Sequence, residues 1–236
     1  MQRWRDRNRR IIDIPDAELY QPIYSPWLGN GEFGELRDRV SERSLVSSDR
    51  LWVLYRLAQQ VLHIEGDFVE CGVYKGGTAF MFADILSHSS NSAKRRLRLF
   101  DTFGGMPETD TDVDKHDPGD FSDTSLSDVR DFVGTHDFID WHKGFIPDSF
   151  KEVEWQSIAF LHIDLDIKKS ILDTLDQLYQ KITPGGIIVF DDYGFHSCYG
   201  ARVAVDSFFE DKPEIPLCLP TGQAIVIRQA PGHGRL

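Results

Sequence analysis

Short apolar runs alternate along the chain with segments whose apolar residues recur at helical spacing. Residues 160–166 and 187–192 are apolar runs of strand length, and each contains or ends in aspartates. Between them, residues 168–181 place Ile171 and Leu175 on one face of an amphipathic helix. The pattern therefore predicts a strand, a helix and a second strand parallel to the first.

The same alternation extends over most of the chain. It predicts helices over residues 48–61, 79–88, 125–133 and 201–209, and strands just before Gly72 and over residues 97–101, 139–143, 215–219 and 224–227. Ser48 or Asp49 is the predicted N-cap of the first of these helices. Thr221 and Gly222 indicate a tight hairpin between the last two runs, whereas residues 1–35 are expected to be irregular. About seven strands with helices between the first five predict an α/β fold, a doubly wound, mostly parallel sheet with an antiparallel last strand.

Acidic residues end the two strands of the first pattern. In a right-handed β–α–β unit the two strands lie close together in one sheet, so Asp164, Asp191 and Asp192 are expected at the same carboxyl edge. Carboxylates placed together raise one another's pKa unless a hard cation lies between them. We therefore predict a site for Mg²⁺ or Ca²⁺ at these residues. Asp166 either joins this site or caps the helix that begins near Lys168.

A glycine-rich turn follows the first strand. Gly72, Gly76 and Gly77 let the backbone approach a ligand closely, and free N–H groups at the start of the next helix favour an anion or a carboxylate. The second strand ends at Asp101, where Rossmann-like folds hold the ribose hydroxyls of an adenosine-type cofactor. Together the two features favour such a cofactor; each alone also fits tight packing or a turn. The long connection over residues 101–123 is typical of a functional or a disordered loop.

Composition excludes several classes of function. A chain of 236 residues suits one α/β domain, and the net charge of −12 argues against a nucleic-acid-binding surface. The basic run at residues 3–10 is either a solvated terminus or an arm for an acidic partner. No apolar segment of about 18 residues is present, so we expect neither a membrane span nor a secretory leader. Three widely spaced cysteines without a C-x-x-C pair indicate reduced thiols and a cytoplasmic location.

Four motifs, taken in order, carry a family resemblance. They are Val69-Glu70-Cys71-Gly72-Val73-Tyr74-Lys75-Gly76-Gly77, Phe100-Asp101-Thr102-Phe103-Gly104-Gly105-Met106-Pro107, His162-Ile163-Asp164-Leu165-Asp166, and Pro184-Gly185-Gly186 with Asp191-Asp192-Tyr193. From about residue 27 to 227 the chain resembles the macrocin O-methyltransferase (TylF-type) family of class I S-adenosylmethionine (SAM)-dependent methyltransferases, which includes enzymes that methylate sugar hydroxyls of macrolides and of novobiocin.

The resemblance implies a fold, a reaction and two cofactors. The fold would be Rossmann-like, and the reaction would be Mg²⁺-dependent methyl transfer from SAM to a hydroxyl of a small molecule, a deoxysugar on a natural product. The small molecule that accepts the methyl group would be the partner of the protein, and the reaction would belong to antibiotic biosynthesis. A homo-oligomer is a further possibility. Residues 1–236 would form one methyltransferase domain, in which residues 1–47 are a cover or a lid.

The resemblance also assigns site residues. It implies that Asp164, Asp191 and Asp192 hold Mg²⁺, and that three groups of residues contact SAM. The predicted contacts to its methionine part are Glu70, Cys71, Gly72, Val73, Tyr74 and Gly76, and those to its ribose and adenine side are Asp101, Thr102 and Phe103. Another position that contacts the cofactor matches Ser44 and Leu45, and the adenine contacts match Ser122, Gly144 and Phe145.

The resemblance assigns proton acceptance to Asp164. In relatives the residue at this position is proposed as the general base, whereas one relative uses a nearby histidine. His162 and His196 are therefore retained as alternative bases, although a hydrogen-bonded core position for His162 and a loop position for His196 are the simpler interpretations. Since a metal-bound aspartate is a weak base, most activation of the acceptor is assigned to the metal.

Two other enzyme classes share parts of these patterns. A phosphatase of the haloacid dehalogenase type also uses a strand that ends Asp-x-Asp, later aspartates and Mg²⁺, but its nucleophile strand opens the domain and Gly usually stands at the position of Ile167. A nicotinamide dehydrogenase would use the glycine turn but leaves the three carboxylates unexplained. The phosphatase is the stronger alternative.

Overall fold

A seven-stranded sheet lies at the centre of the computed structural model, which describes residues 23–89, 95–230 and 232. Its strands are β1 Asp67–Cys71, β2 Leu97–Asp101, β3 Ile139–Lys143, β4 Ile158–Ile163, β5 Ile182–Phe190, β6 Leu217–Cys218 and β7 Ala224–Ile227. Their spatial order is β3-β2-β1-β4-β5-β7-β6. Strands β1 to β5 are parallel, and β7 is antiparallel to both of its neighbours. The predicted α/β fold is confirmed.

Helices cover both faces of the sheet. The α-helices of the described chain are α1 Glu32–Val40, α2 Ser48–Gln60, α3 Gly77–Ser87, α4 Leu126–Val133, α5 Lys168–Leu178 and α6 Tyr199–Phe208. Apolar residues of α1 to α4 form one core, and those of α5 and α6 form the other. Strands β1 and β4 are buried at every position, which explains their nearly continuous apolar runs. None of these helices has the length and the apolar character needed to cross a bilayer.

Three details differ from the sequence-based predictions. Helix α1 begins inside the stretch expected to be irregular, because Phe33, Leu36 and Val40 recur at helical spacing and pack into the core. Ser47 takes the N-cap position of α2, without a side-chain cap, instead of Ser48 or Asp49. Strand β5 begins at Ile182, five residues before the predicted start at residue 187. Its backbone pairs further along than expected, because Gly185 and Gly186 bond to Arg228, just beyond the end of β7.

The strand order creates a crevice at the carboxyl edge. The chain proceeds from β1 to β2 on one side and to β4 on the other, and such a reversal leaves a gap where ligands bind in α/β sheets. The Asp164 N–H donates to the Cys71 carbonyl at 2.9 Å, and the Asp191 N–H donates to the Ile163 carbonyl at 3.0 Å. These bonds continue the ladder beyond the strands, so the predicted acids lie beside the glycine turn.

The predicted N-terminal cover is only partly visible. Residues 1–22 lie outside the described residues, as does the basic run. Of the remainder, Ser44 and Leu45 lie at the crevice, just before α2. The assignment of residues 1–47 as a cover or lid therefore stays a prediction.

Candidate active site

A cavity of about 290 Å³ occupies the crevice. This volume lies just below the roughly 300–1,000 Å³ typical of small-molecule sites. The walls come from the segments that follow β1, β2, β3 and β4, together with residues 43–46 before α2 and residues 195–198 after β5. Chain segments far apart in sequence thus meet at one edge of the sheet.

Most of the predicted cofactor residues line this cavity. Ser44, Leu45, Gly72, Val73, Tyr74, Asp101, Thr102, Gly144 and Phe145 lie on its wall, with Asp164 and Asp192. Glu70, Cys71, Gly76, Phe103, Ser122 and Asp191 are not among the lining residues. Glu70, Cys71 and Asp191 are fully buried behind the wall, and the Phe103 ring packs in the core. The structure brings the first set together, while the cofactor role of every residue in both sets remains a prediction.

The Asp101 carboxylate holds the glycine turn in place. Its Oδ2 accepts hydrogen bonds from the N–H groups of Val73, at 2.7 Å, and Tyr74, at 2.8 Å. Its Oδ1 accepts from the N–H of Phe103 at 2.6 Å. Two N–H groups of the turn thus bind a carboxylate of the protein itself, whereas the affinity of the start of α3 for an anion stays a prediction. Each carboxylate oxygen accepts about two hydrogen bonds, so Oδ1 still has room for a ribose hydroxyl.

The three predicted metal ligands converge. One carboxylate oxygen each from Asp164, Asp191 and Asp192 lies within 4.8 Å of the other two. Burial and the charge of Asp191 raise the pKa of Asp164 well above its ordinary value. Burial and the charges of Asp166 and Asp164 do the same for the pKa of Asp192. A buried set of hard oxygen donors that repel one another fits a divalent cation such as Mg²⁺.

Asp191 has protein partners that sequence reasoning missed. Arg50 donates to its Oδ2, and Gln223 Nε2 donates to its Oδ1 at 2.8 Å. Burial alone would raise the pKa of Asp191, but His162 and Arg50 more than offset this effect and lower it. No local pattern in the sequence marks Arg50 or Gln223, because only the folded sheet brings them to β5.

His162 connects the first strand to the metal ligands. Its Nδ1 lies 3.0 Å from Glu70 Oε1, its Nε2 lies 3.8 Å from Asp191 Oδ1, and both the His162 and Glu70 side chains are fully buried. Burial would lower the pKa of His162, but Asp191 and Glu70 raise it to about 10. His162 lies behind the cavity wall, and His196 is exposed on a short 3₁₀ helix, where it does not line the cavity itself although its neighbours Phe195 and Ser197 do. Neither histidine is among the lining residues, and the choice between Asp164 and a histidine as the base stays a prediction.

Asp166 does not cap the following helix. The Lys168 N–H instead donates to Asp114 Oδ1 at 3.0 Å, so Asp114, from the long loop after β2, holds the start of α5. Asp166 adopts a left-handed backbone conformation, with a φ of 58°, and its N–H donates to Asp192 Oδ2 at 3.0 Å. Its carboxylate lines the cavity beside the predicted metal ligands. The helix-cap alternative for Asp166 is therefore wrong.

Comparison with characterised proteins agrees with this geometry. One relative is the 8-demethyl-8-(2,3-dimethoxy-alpha-L-rhamnosyl)-tetracenomycin-C 4'-O-methyltransferase of Streptomyces olivaceus, 30% identical over 149 residues, 58% of this chain and 57% of that protein. Another is the demethyldecarbamoylnovobiocin O-methyltransferase of Streptomyces niveus, 28% identical over 182 residues, 72% of this chain and 68% of that protein. The chain thus spans little more than half of the first relative's length.

Solved structures share the fold. The O-methyltransferase NovP matches 80% of this chain and 83% of its own with a TM-score of 0.71 at 23% identity. The O-methyltransferase TomG from Streptomyces achromogenes, solved in complex with SAM, matches 84% of this chain and 89% of its own with a TM-score of 0.52 at 14% identity.

The family assignment comes from a longer match. The family model for macrocin-O-methyltransferase (TylF) matches residues 37–217, which include all four motifs and the segments that line the cavity. The alternative of a haloacid dehalogenase-type phosphatase finds no support in these comparisons. This chain belongs to the macrocin-O-methyltransferase (TylF) family.

Proposed function

We propose that this protein is a SAM- and Mg²⁺-dependent O-methyltransferase that acts on a small-molecule hydroxyl. The observation that carries the proposal is the single cavity in which the glycine turn, the acid after β2 and the aspartates after β4 and β5 meet. Membership of the TylF family supports the reaction type.

On the donor side, the chain offers a turn and a carboxylate. The Gly72–Tyr74 backbone and Asp101 lie on one wall of the cavity, with Ser44 and Leu45 on another segment. Asp101 and the turn are joined by hydrogen bonds, so the site for the methionine part and the site for the ribose are held at a constant separation. Such rigidity lowers the entropy cost of orienting the donor. The presence of SAM in TomG supports the same donor here.

On the acceptor side, three aspartates would hold the metal. When bound, SAM supplies an electrophilic methyl group, and Mg²⁺ lowers the pKa of the acceptor hydroxyl and fixes its direction. Asp164, Asp191 and Asp192 would hold the ion, with Asp191 kept ionised by Arg50 and His162.

Asp164 is the proposed proton acceptor. Of the residues considered for this role, it lies on the cavity wall, whereas His162 and His196 do not. A carboxylate oxygen of Asp164 would receive the hydroxyl proton as the methyl group is transferred. The apolar side chains of Met106, Phe121 and Phe145 at the same cavity would exclude water from the reaction.

The acceptor that we propose is a deoxysugar hydroxyl on a natural product, in antibiotic biosynthesis. The activities for which the two Streptomyces relatives are named support this class. We also place the protein in the cytoplasm, because Cys71, Cys198 and Cys218 are all free thiols.

Two measurements test the proposal. SAM or its demethylated product should raise the melting temperature while NAD does not, and incubation with SAM, Mg²⁺ and glycosylated natural products should yield a product heavier by one CH₂, seen by mass spectrometry. Loss of this product on chelation of Mg²⁺ and in Asp164→Asn would support the assigned roles. A melting-temperature shift with NAD alone, or hydrolysis of p-nitrophenyl phosphate abolished by Asp164→Asn, would overturn the proposal.

A further inference from the structure

A second group of potential metal ligands lies beside the three aspartates. It consists of His116 from the loop after β2, Asp166 after β4, and Cys198 before α6. Cys198 Sγ donates to Asp166 Oδ1 at 3.2 Å and lies 3.7 Å from His116 Nε2. His116 Nε2 lies 3.7 Å from Asp166 Oδ1. An imidazole nitrogen, a carboxylate oxygen and a sulfur thus form a small triangle.

The size of this triangle matches tetrahedral coordination of zinc. Bonds of about 2.0–2.3 Å at tetrahedral angles separate neighbouring ligand atoms by about 3.3–3.6 Å. The three observed separations, 3.2, 3.7 and 3.7 Å, fall on either side of this range. An ion could therefore be accommodated with movements of a few tenths of an ångström.

The orientation of His116 is set by a second carboxylate. Its Nδ1 lies 3.2 Å from Asp120 Oδ2, and this oxygen also accepts the Asp117 N–H at 3.1 Å. A carboxylate on one ring nitrogen is the usual support of a metal-binding histidine, because it fixes the ring and makes the other nitrogen the ligand. Here the other nitrogen, Nε2, is the atom that faces Asp166 and Cys198.

The triangle opens toward the cavity. His116, Asp166 and Cys198 all line it, and Cys198 is 3% exposed. Three protein ligands with the fourth position open is the arrangement of catalytic zinc sites, whereas structural sites use four protein ligands. An ion held here would have its remaining coordination position on the side where the proposed acceptor binds.

We propose that His116, Asp166 and Cys198 form a second metal site, selective for a borderline-soft divalent cation of the Zn²⁺ class. Nitrogen and thiolate ligands favour Zn²⁺ or Co²⁺ over Mg²⁺, which prefers an all-oxygen set such as Asp164, Asp191 and Asp192. The N–H of Asp166 donates to Asp192 Oδ2, so the two sites are adjacent, and the two groups of ligands have no residue in common. The inference does not depend on methyl transfer.

Cobalt binding tests the site directly. Tag-free protein, stripped of metal by a chelator and then held in excess Mg²⁺, would be titrated with Co²⁺. We expect one Co²⁺ per chain, with a thiolate-to-cobalt charge-transfer absorption and the strong visible bands of tetrahedral cobalt. Zn²⁺ should displace the cobalt. In Cys198→Ser the charge-transfer absorption should disappear, whereas Cys218→Ser, which changes the exposed cysteine of β6, should retain it.

Other variants keep the test independent of the Cys198 substitution. Asp120→Asn should weaken cobalt binding by about 10- to 100-fold, because it removes the support of His116. Zn²⁺ should raise the melting temperature of the wild type and not that of His116→Ala. Asp191→Asn should keep the cobalt spectrum even if it abolishes methyl transfer, which separates this site from the proposed function. Absence of the charge-transfer absorption in the wild type, or its persistence in Cys198→Ser, would overturn the inference.

Discussion

Arg50 and Asp191, 141 residues apart in sequence, form an ion pair between the cavity wall, which Arg50 lines, and the buried Asp191 behind it. The Asp191 side chain is fully buried, and that of Arg50 is 11% exposed. Arg50 thereby brings a positive charge from α2 to a cluster of three carboxylates at the ends of β4 and β5. The cluster is thus partly neutralised by the protein itself.

Replacing Arg50 by Met should make the protein dependent on metal for stability. Without metal, Asp191 would be a buried charge that has lost its closest cation, and loss of one partner of a buried pair costs about 3–5 kcal/mol. Urea unfolding in a chelator should show a loss approaching this size, and Mg²⁺ should restore more stability to Arg50→Met than to the wild type.

The control for this substitution is an exposed pair. Lys151→Met removes the partner of Asp148, where both side chains are more than 70% exposed, at 72% and 75%, and it should leave the unfolding free energy nearly unchanged. Equal stability of Arg50→Met and the wild type in chelator would contradict a compensating role for Arg50.

Asp192→Asn should separate stability from metal binding. Burial and the charges of Asp166 and Asp164 raise the pKa of Asp192, so its ionised form is unfavourable in the metal-free protein. A neutral amide removes this repulsion and still accepts the Asp166 N–H, so the variant should be at least as stable as the wild type in chelator. Mg²⁺ should no longer stabilise the variant, and the rate of methyl transfer should fall by about 100-fold or more.

Calorimetry should show unchanged binding of S-adenosylhomocysteine to Asp192→Asn. A parallel loss of this binding would mean that the metal and donor sites are not separate.

Asp101→Ala should weaken donor binding and leave Mg²⁺ binding intact. The substitution removes the acceptor of the Val73, Tyr74 and Phe103 N–H groups, and hydrogen bonds to a charged partner are worth about 1.5–3 kcal/mol each. We expect the affinity for S-adenosylhomocysteine to fall by at least about tenfold. Asp123→Ala is the matched control, since the Asp123 carboxylate accepts from the side chains of Tyr74 and Lys75 in the same turn. If both variants bind alike, Asp101 does not organise the turn.

The carboxyl edge of the sheet could be predicted from sequence because parallel strands end there together. The apolar runs before Asp164 and Asp191 are visible locally, and the direction of the strands follows from the helix between them. The same reasoning located Asp101 at the tip of β2. Each of these residues lies next to a regular element, so its place follows from that element.

Residues outside regular elements could not be placed in this way. His116 and Asp114 lie in the long loop after β2, whose course depends on tertiary contacts such as the Asp114 bond to the start of α5. Arg50 is on a helix, but its orientation toward Asp191 depends on how α2 packs against the sheet. The sequence pattern also allowed Asp166 to cap the start of α5, but in the fold Asp114 accepts the Lys168 N–H instead.

The charge network between β2 and β3 predicts an acid-dependent loss of stability. Arg96 Nε donates to Asp140 Oδ2 at 2.8 Å, and this bond lowers the pKa of Asp140 despite partial burial. A lowered pKa stabilises the fold at pH above the unfolded-state pKa of about 3.9, and this stabilisation is lost as the pH falls through the folded-state pKa.

Asp140→Asn should therefore lower the unfolding free energy by up to about 1 kcal/mol at pH 7, after allowance for solvent screening. The deficit should vanish at strongly acidic pH. The same deficit at all pH values would point to packing instead of charge, and Arg96→Gln should reproduce the pH dependence.

Gly72→Ala should damage both halves of the site, because Gly72 is where they touch. Its φ is +92°, and an added Cβ would lie 1.8 Å from the Asp164 carbonyl oxygen. Gly119 supplies a control with nearly the same backbone conformation, a φ of +89°, and open space around an added Cβ. Gly119→Ala should cost only the left-handed backbone penalty of about 1–2 kcal/mol. Gly72→Ala should lower the unfolding free energy by more than this and should weaken binding of both S-adenosylhomocysteine and Mg²⁺, because the turn after β1 and Asp164 after β4 must move apart.

Urea unfolding of the two variants measures the difference in stability, and calorimetry measures the difference in binding. Equal costs for the two would show that the backbone conformation alone matters and that the contact between the turn and Asp164 does not hold the site together.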